Sequence, residues 1–276
     1  MLMSTQANRY AHQLLDARAK AQLLPSSLSS RQPLSIDDGY EISKRIYDIR
    51  TAEGEVAIGR KIGFSNAAHR AKYGDTGPIS EPIWTPMFDS TVQFADDNRG
   101  IQSLTGAMQP RIGPEIVFKL GQTPTADASI DALADCIEWM AHGIEIVVCP
   151  FPDWKFDTVD AIAAFGLHGA LIIGEPKMLS AASHHNLASM LDNTSVSLSC
   201  AGTLLAAGFG DESNSPLQAL FYLHQLLKSQ PQFSPLTAGE IITTGTWTDA
   251  YPIEKGQTWT TALSGVSLPG LTVSFV

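Results

Sequence analysis

Two glutamates interrupt apolar, strand-like runs. In RIGPEIVFKL (111–120) an extended chain puts Glu115 on one face with Val117 and Lys119, and Ile116, Phe118 and Leu120 on the other. In GIEIVVC (143–149) Glu145 shares a face with Val147 and Cys149, opposite Ile144, Ile146 and Val148. A carboxylate buried without a partner is costly, so each must meet a cation, a metal or strong donors. If the two strands are neighbours, the pair converges on a hard divalent cation such as Mg²⁺, which takes oxygen ligands and keeps exchangeable waters. Such a cation polarises a substrate carbonyl. The alternative is that one glutamate pairs with Lys119 or Arg111, or lies on an exposed edge.

Other chemistry-bearing side chains surround this pair in the sequence. PFPDWKFDT follows the second run and brings Asp153, Lys155 and Asp157 to the same end. Lys155, between Trp154 and Phe156, is placed to be desolvated and to meet an anionic substrate, with an ordinary charged surface as the alternative. Lys61 lies in the glycine-bounded GRKIG, either inside a strand or as a solvated neighbour of Arg60. His168, in GLHGALIIG, is a candidate ligand-facing group or a structural histidine with satisfied partners. His142 reads as the end of a helix, where a cation suits the dipole.

The elements that must position these groups follow from spacing and punctuation. Residues 4–24 read as a helix ended by Pro25 and its serines. Ser35 and Asp38 form a capping box for a second helix to about Thr51. GEVAIGRKIGF reads as a strand. Between Asn66 and Met108, Gly74, Gly77, Pro78, Pro82, Pro86, Gly100 and Gly106 break any long element and suggest a lid or rim. After the first glutamate strand, Ile130, Leu133, Ala134, Ile137 and Met140 recur at helical spacing, predicting a helix over 129–142 capped by Gly143. GALIIG is a buried strand, and Ser215-Pro216 opens a helix to about Lys228. The last forty residues, rich in Thr, Val and Ile, predict antiparallel strands and hairpins. The class expected is α+β, with an N-terminal helical portion over 1–80 and a mixed-β catalytic portion over 81–276.

The 276 residues, 44% hydrophobic and 17% charged, suffice for a substantial core. A formal charge of -10 disfavours nucleic acid and anionic membranes as partners. Cys136, Cys149 and Cys200, with no CxxC pair, suit a reducing compartment, and no apolar run approaches the ~18 residues of a membrane span. A cytoplasmic location is expected. There is no GxGxxG, GxxxxGK[ST] or GxSxG.

In order along the chain, GRKIGFS, PEIVFKL, GIEIV, DWKF, GLHGALIIGEP and AGEIITTGTWTDAYPIEKGQTW resemble the 2-keto-4-pentenoate hydratase and 4-oxalocrotonate decarboxylase family of the fumarylacetoacetate hydrolase superfamily. The resemblance implies a mixed β-roll with flanking helices, use of Mg²⁺ or Mn²⁺, a small 2-oxo acid as substrate, a homo-oligomer, and a decarboxylase or hydratase of the same pathway as partner. It implies metal ligation by Glu115 and Glu145, neutralisation of substrate charge by Lys61 and Lys155, and substrate contacts at Thr246 and His168. The family's E-x-E pattern puts its first acid at Gly113, so metal affinity falls unless a water, His142 or a rim carboxylate substitutes. Ile83 stands where hydratases carry an Asp, which looks more like the decarboxylase branch. The expected activity is hydration, with decarboxylation next; the reading from another class is a non-catalytic 2-oxo-acid-binding or partner subunit.

Overall fold

The computed structural model describes residues 4–66, 70, 81–210 and 215–276; the rim positions Gly74, Gly77 and Pro78 lie outside them. Two helices come first, α1 (Ser4–Lys20) and α2 (Ile36–Ala52). Ser35 and Asp38 make the expected capping box at α2. The strands, in chain order, are β1 (Ala57–Gly63), β2 (Ile83–Phe88), β3 (Val92–Phe94), β4 (Arg99–Gln102), β5 (Arg111–Leu120), β6 (Ile137–Val147) and β7 (His168–Ile173). They continue with β8 (Lys177–Met178), β9 (Ser195–Cys200), β10 (Thr203–Phe209), β11 (Ile241–Thr243), β12 (Tyr251–Pro252), β13 (Thr258–Ser264) and β14 (Thr272–Phe275).

Two sheets result. The larger runs β2-β1-β11-β5-β6-β7-β3, with β12 and β8 added at its side, and the smaller runs β10-β9-β13-β14-β4. Ile112, Ile144, Ile146 and Ile172 of the first pack against Leu198, Trp259, Val273 and Phe275 of the second. α1, α2 and the helix Pro216–Lys228 close the largest apolar cluster through Ala7, Leu14, Ile46, Leu220 and Leu223. This is the α+β fold expected, with mixed pairing.

Three expectations need correction. The helix foreseen over 129–142 is only Ile130–Asp135; Cys136 ends it, and Ile137 to Val147 form β6. β6 is buried on both faces, so its residues read as a continuous apolar run and not as an alternation. Gly143 therefore sits inside a strand, opposite Glu115. The C-terminal strands are not all antiparallel, since β11 pairs β1 in parallel and β14 pairs β4 in parallel. A division at residue 80 would cut the larger sheet, because β1 lies between β2 and β11. Its hydrogen bonds make residues 57–63 part of the sheet that carries the glutamates.

Candidate active site

β5 and β6 are antiparallel neighbours with Gly113 opposite Glu145 and Glu115 opposite Gly143. Paired residues point to one side, so the two carboxylates are diagonal neighbours on a single face. β1 supplies the cation. Lys61 is in register with Thr243 of β11, which is in register with Val117 of β5, so Lys61 shares that face. Its Nζ donates to the Gly166 carbonyl at 2.5 Å and lies 3.2 Å from Glu145 Oε2. Lys61, Glu115 and Glu145 are 5%, 3% and 2% exposed, which makes their mutual neutralisation compulsory. The alternative partners are occupied elsewhere: Lys119 meets Glu138 at 3.0 Å, and Arg111 stacks 4.1 Å over the Trp154 ring.

The two glutamates titrate in opposite directions. Burial pushes Glu115 well above the ordinary carboxylate range, the charge of Glu145 adds to this, and Lys61 opposes it. Burial also penalises ionised Glu145, but Lys61 and His168 more than offset it and hold that carboxyl low. Glu115 Oε2 accepts a 3.0 Å hydrogen bond from Gly245 N–H. Gly245 has φ +95°, and a Cβ there would lie 2.0 Å from Ser65 Oγ, so the position requires glycine.

His168 is fully buried behind Glu145. Its Nδ1 lies 2.8 Å from Glu145 Oε1 and its Nε2 3.0 Å from Thr91 Oγ1. Desolvation lowers its pKa although Glu145 raises it, so the ring orients Glu145 as a neutral group. The expected substrate contact is corrected on this ground: His168 does not border the cleft. Arg18 of α1 holds the same place from behind, donating to the His168 and Gly169 carbonyls at 2.7 and 3.2 Å. Thr91 and Arg18 carried no sequence signal for this role.

The carboxylates open into a cleft of about 560 Å³, counting its mouth, bordered by Lys61, Ser65, Asn66 and Thr246 and by the apolar Phe64, Val147, Trp154, Leu167 and Ala250. Lys155 is not among these residues. Asp153 and Trp154 both take positive φ, 55° and 59°, which turns Trp154 toward the cleft and leaves Lys155 exposed beside Pro25, Ser26 and Ser27. The expected catalytic lysine is therefore replaced at the cleft by its aromatic neighbour. Ile83 is buried opposite Gly63 at the start of β2, outside the cleft lining.

Thr246 does border the cleft, and it fills the space beside Gly113. A Cβ on Gly113 would meet Thr246 Oγ1 at 2.6 Å and Thr246 Cβ at 2.8 Å. His142 cannot stand in as a ligand: on the opposite face of β6, its Nδ1 meets the Glu115 carbonyl at 3.0 Å and its Nε2 meets Thr261 Oγ1 at 2.8 Å. Burial holds His142 down at about 4, so Nδ1–H donates to Glu115 and Nε2 accepts from Thr261. Among the described residues no three His, Cys, Asp or Glu side chains form a metal-holding group, and no helix is long and apolar enough to cross a membrane.

No family model matches the chain. It is 28% identical over 270 residues to the 2-hydroxyhexa-2,4-dienoate hydratase of Comamonas testosteroni, covering 96% of this chain and 94% of that protein. It is 26% identical over 251 residues to a 4-oxalocrotonate decarboxylase of Pseudomonas sp, covering 90% and 91%. The structure of 4-oxalocrotonate decarboxylase from Pseudomonas putida G7, complexed with magnesium and adipate, superposes with a TM-score of 0.86 at 21% identity, covering 100% of this chain and 99% of that one. At that identity the likeness is one of fold. Solved proteins described as of the fumarylacetoacetate hydrolase type share the fold over 79% of the chain. The resemblance seen in the sequence is thus borne out.

Proposed function

We propose that this relative of the 2-keto-4-pentenoate hydratases and 4-oxalocrotonate decarboxylases is an enzyme, a divalent-metal-assisted hydratase acting on a small 2-oxo or 2-hydroxyalkenoic acid. The observation that carries the reading is the convergence of Glu115, Glu145 and Lys61 in one cleft. Two carboxylates against one ammonium leave the cleft one positive charge short when both are ionised, and burial first, then the charge of Glu145, pushes Glu115 up. This fits a hard cation held by two carboxylates and completed by substrate and water oxygens. Glu115 and Glu145 would hold Mg²⁺ or Mn²⁺, which when bound supplies Lewis-acid polarisation of the 2-oxo group.

The chain's own residues do the rest. Lys61 neutralises negative charge on the substrate carboxylate and on the dienolate that hydration and decarboxylation share. Glu115 has one oxygen fixed by Gly245 N–H, and its burial favours the protonated form, which makes it the candidate acid and base when no cation is held there. His168, clamped by Thr91, keeps Glu145 aimed at the cleft. The apolar walls exclude bulk water and so strengthen these interactions. A cytoplasmic homo-oligomer working beside a pathway decarboxylase or hydratase completes the reading; the three free cysteines support the compartment, and the similarity to both a hydratase and a decarboxylase supports the partner.

Decarboxylation of a 2-oxo-3-enedioate is the second reading, supported by the similarity to 4-oxalocrotonate decarboxylases. Both are tested by offering 2-hydroxypenta-2,4-dienoate and 2-oxohex-3-enedioate side by side with Mg²⁺ or Mn²⁺ and following loss of the conjugated absorbance. Metal-dependent consumption of the dienoate is expected. Release of CO₂ from the diacid alone would select the decarboxylase, and turnover of neither would leave a binding subunit.

A further inference from the structure

A second cavity adjoins the wall of the active site. Its empty space is about 400 Å³, counting its mouth, and its walls include Leu14, Ile46, Met108 and Phe165. The guanidiniums of Arg18 and Arg50 border it. Arg50 is neutralised: its Nε and Nη2 donate to the Glu55 carboxylate at 2.7 and 2.6 Å, and the group stacks 4.0 Å over the Phe88 ring. Arg18 is not. It donates to the His168 and Gly169 carbonyls, and among the described residues no carboxylate stands within ion-pair distance of it. Burial first, then the charge of Arg50, lowers its pKa to about 10 against the opposing charge of Glu55. Two guanidiniums against one carboxylate leave a positive charge unmatched in an apolar cavity, the converse of the catalytic cleft.

The two cavities share a strap of chain. Ala164 and Phe165 border the second, Gly166 and Leu167 the first. Phe165, Gly166 and Leu167 have φ of 60°, 60° and 59°, a left-handed run that persists only where its surroundings fix it. Lys61 holds it from the cleft through the Gly166 carbonyl, and Arg18 holds its end from the second cavity through the His168 carbonyl. His168 in turn orients Glu145. The charge of Arg18 also reaches His168, whose pKa it helps to lower. An anion on Arg18 would cancel that field and make the carboxylate site more favourable to a cation.

We infer that the second cavity binds a small monocarboxylate with a hydrocarbon body through Arg18, and that its occupancy tightens cation binding at Glu145. The site stands apart from the 2-oxo-acid reading, whereas its coupling to Glu145 rests on the metal-assisted one.

The test uses butanoate, which lacks the 2-oxo group needed to chelate a metal. Calorimetry on the chelator-treated protein should show saturable binding of one butanoate per chain, at least ~10-fold tighter than formate because its carbons lie against the apolar wall. Arg18→Met should weaken it at least ~10-fold. Leu15→Glu, three positions before Arg18 on α1 and at the same cavity, supplies the missing carboxylate internally; it should abolish butanoate binding while remaining as stable as the wild type. Saturating butanoate should tighten Mn²⁺ at least ~5-fold in the wild type, read by electron paramagnetic resonance, and leave Leu15→Glu unchanged. Absence of saturable butanoate binding, or variants that bind it as the wild type does, overturns the site. An unchanged Mn²⁺ affinity in the butanoate-saturated wild type overturns the coupling. Tightening that persists in Leu15→Glu does the same, since butanoate then acts on the metal itself. Loss of Mn²⁺ binding by every protein removes the metal-assisted reading and the coupling with it, and the butanoate titration alone then decides the site.

Discussion

Replacing Lys61 by methionine removes the ammonium of a buried ion pair while keeping an apolar stem of similar length. Wild-type Glu145 is held below its ordinary value of 4.5, so the pair contributes stability that is present above pH 4.5 and lost as the pH falls through the depressed value. In Lys61→Met the sign inverts. Glu145 keeps a neutral histidine and a neighbouring carboxyl, and burial then pushes it up. Leaving one charge of a buried pair unmatched costs about 3–5 kcal/mol. The variant can escape by protonating Glu145, which from 4.5 to pH 7 costs roughly 1.4 kcal/mol per pH unit, or about 3 kcal/mol. The stability gap between wild type and variant should therefore be under about 1 kcal/mol at pH 5 and about 3 kcal/mol at pH 7. Urea unfolding in the presence of a chelator, at half-unit pH intervals, measures it. A gap independent of pH would refute the assignment of Lys61 as the counter-ion of Glu145.

Other expectations can be checked alongside. Gly113→Glu alone should not tighten Mn²⁺ binding, because its Cβ meets Thr246 at 2.6 Å; combined with Thr246→Gly it should tighten binding at least ~10-fold, and equal tightening by the single variant would contradict the packing described. Mn²⁺ binding should release protons from Glu115, whose burial favours the protonated form, as read by calorimetry in buffers of different ionisation heat; zero release across the acid and neutral range would mean that Glu115 is already ionised. His142 sits at about 4 in the fold against an ordinary 6.5, so the unfolded chain takes up a proton that the folded one refuses. Stability should fall by about 3 kcal/mol as pH drops from 6.5 to 4, and His142→Gln should flatten that slope; an unchanged slope would place the acid sensitivity elsewhere.

The face carrying Glu115 was legible because PEIVFKL alternates cleanly, and Ser35, Asp38 and Ser215-Pro216 announced their helices through capping chemistry. β6 was hidden, since a strand covered on both sides loses the period that distinguishes it from a helix. The pairing of Lys61 with Glu145 depends on β1 crossing to join β11, a contact that neither run encodes locally. The exchange of Lys155 for Trp154 was equally invisible. It follows from two consecutive left-handed residues fixed by Gln109, none of them a glycine that would have announced the turn. Gly113 could be read as a missing acid, but the threonine that fills its space comes from a loop more than a hundred positions away.

The most direct measurement is a Mn²⁺ titration followed by electron paramagnetic resonance, with pyruvate present, on the wild type and on Glu145→Gln of equal secondary structure. A carboxylate-held cation predicts saturable binding in the wild type and at least ~10-fold weaker binding in the variant. Equal binding by the two proteins, or none by the wild type, would contradict a metal-assisted site at Glu115 and Glu145.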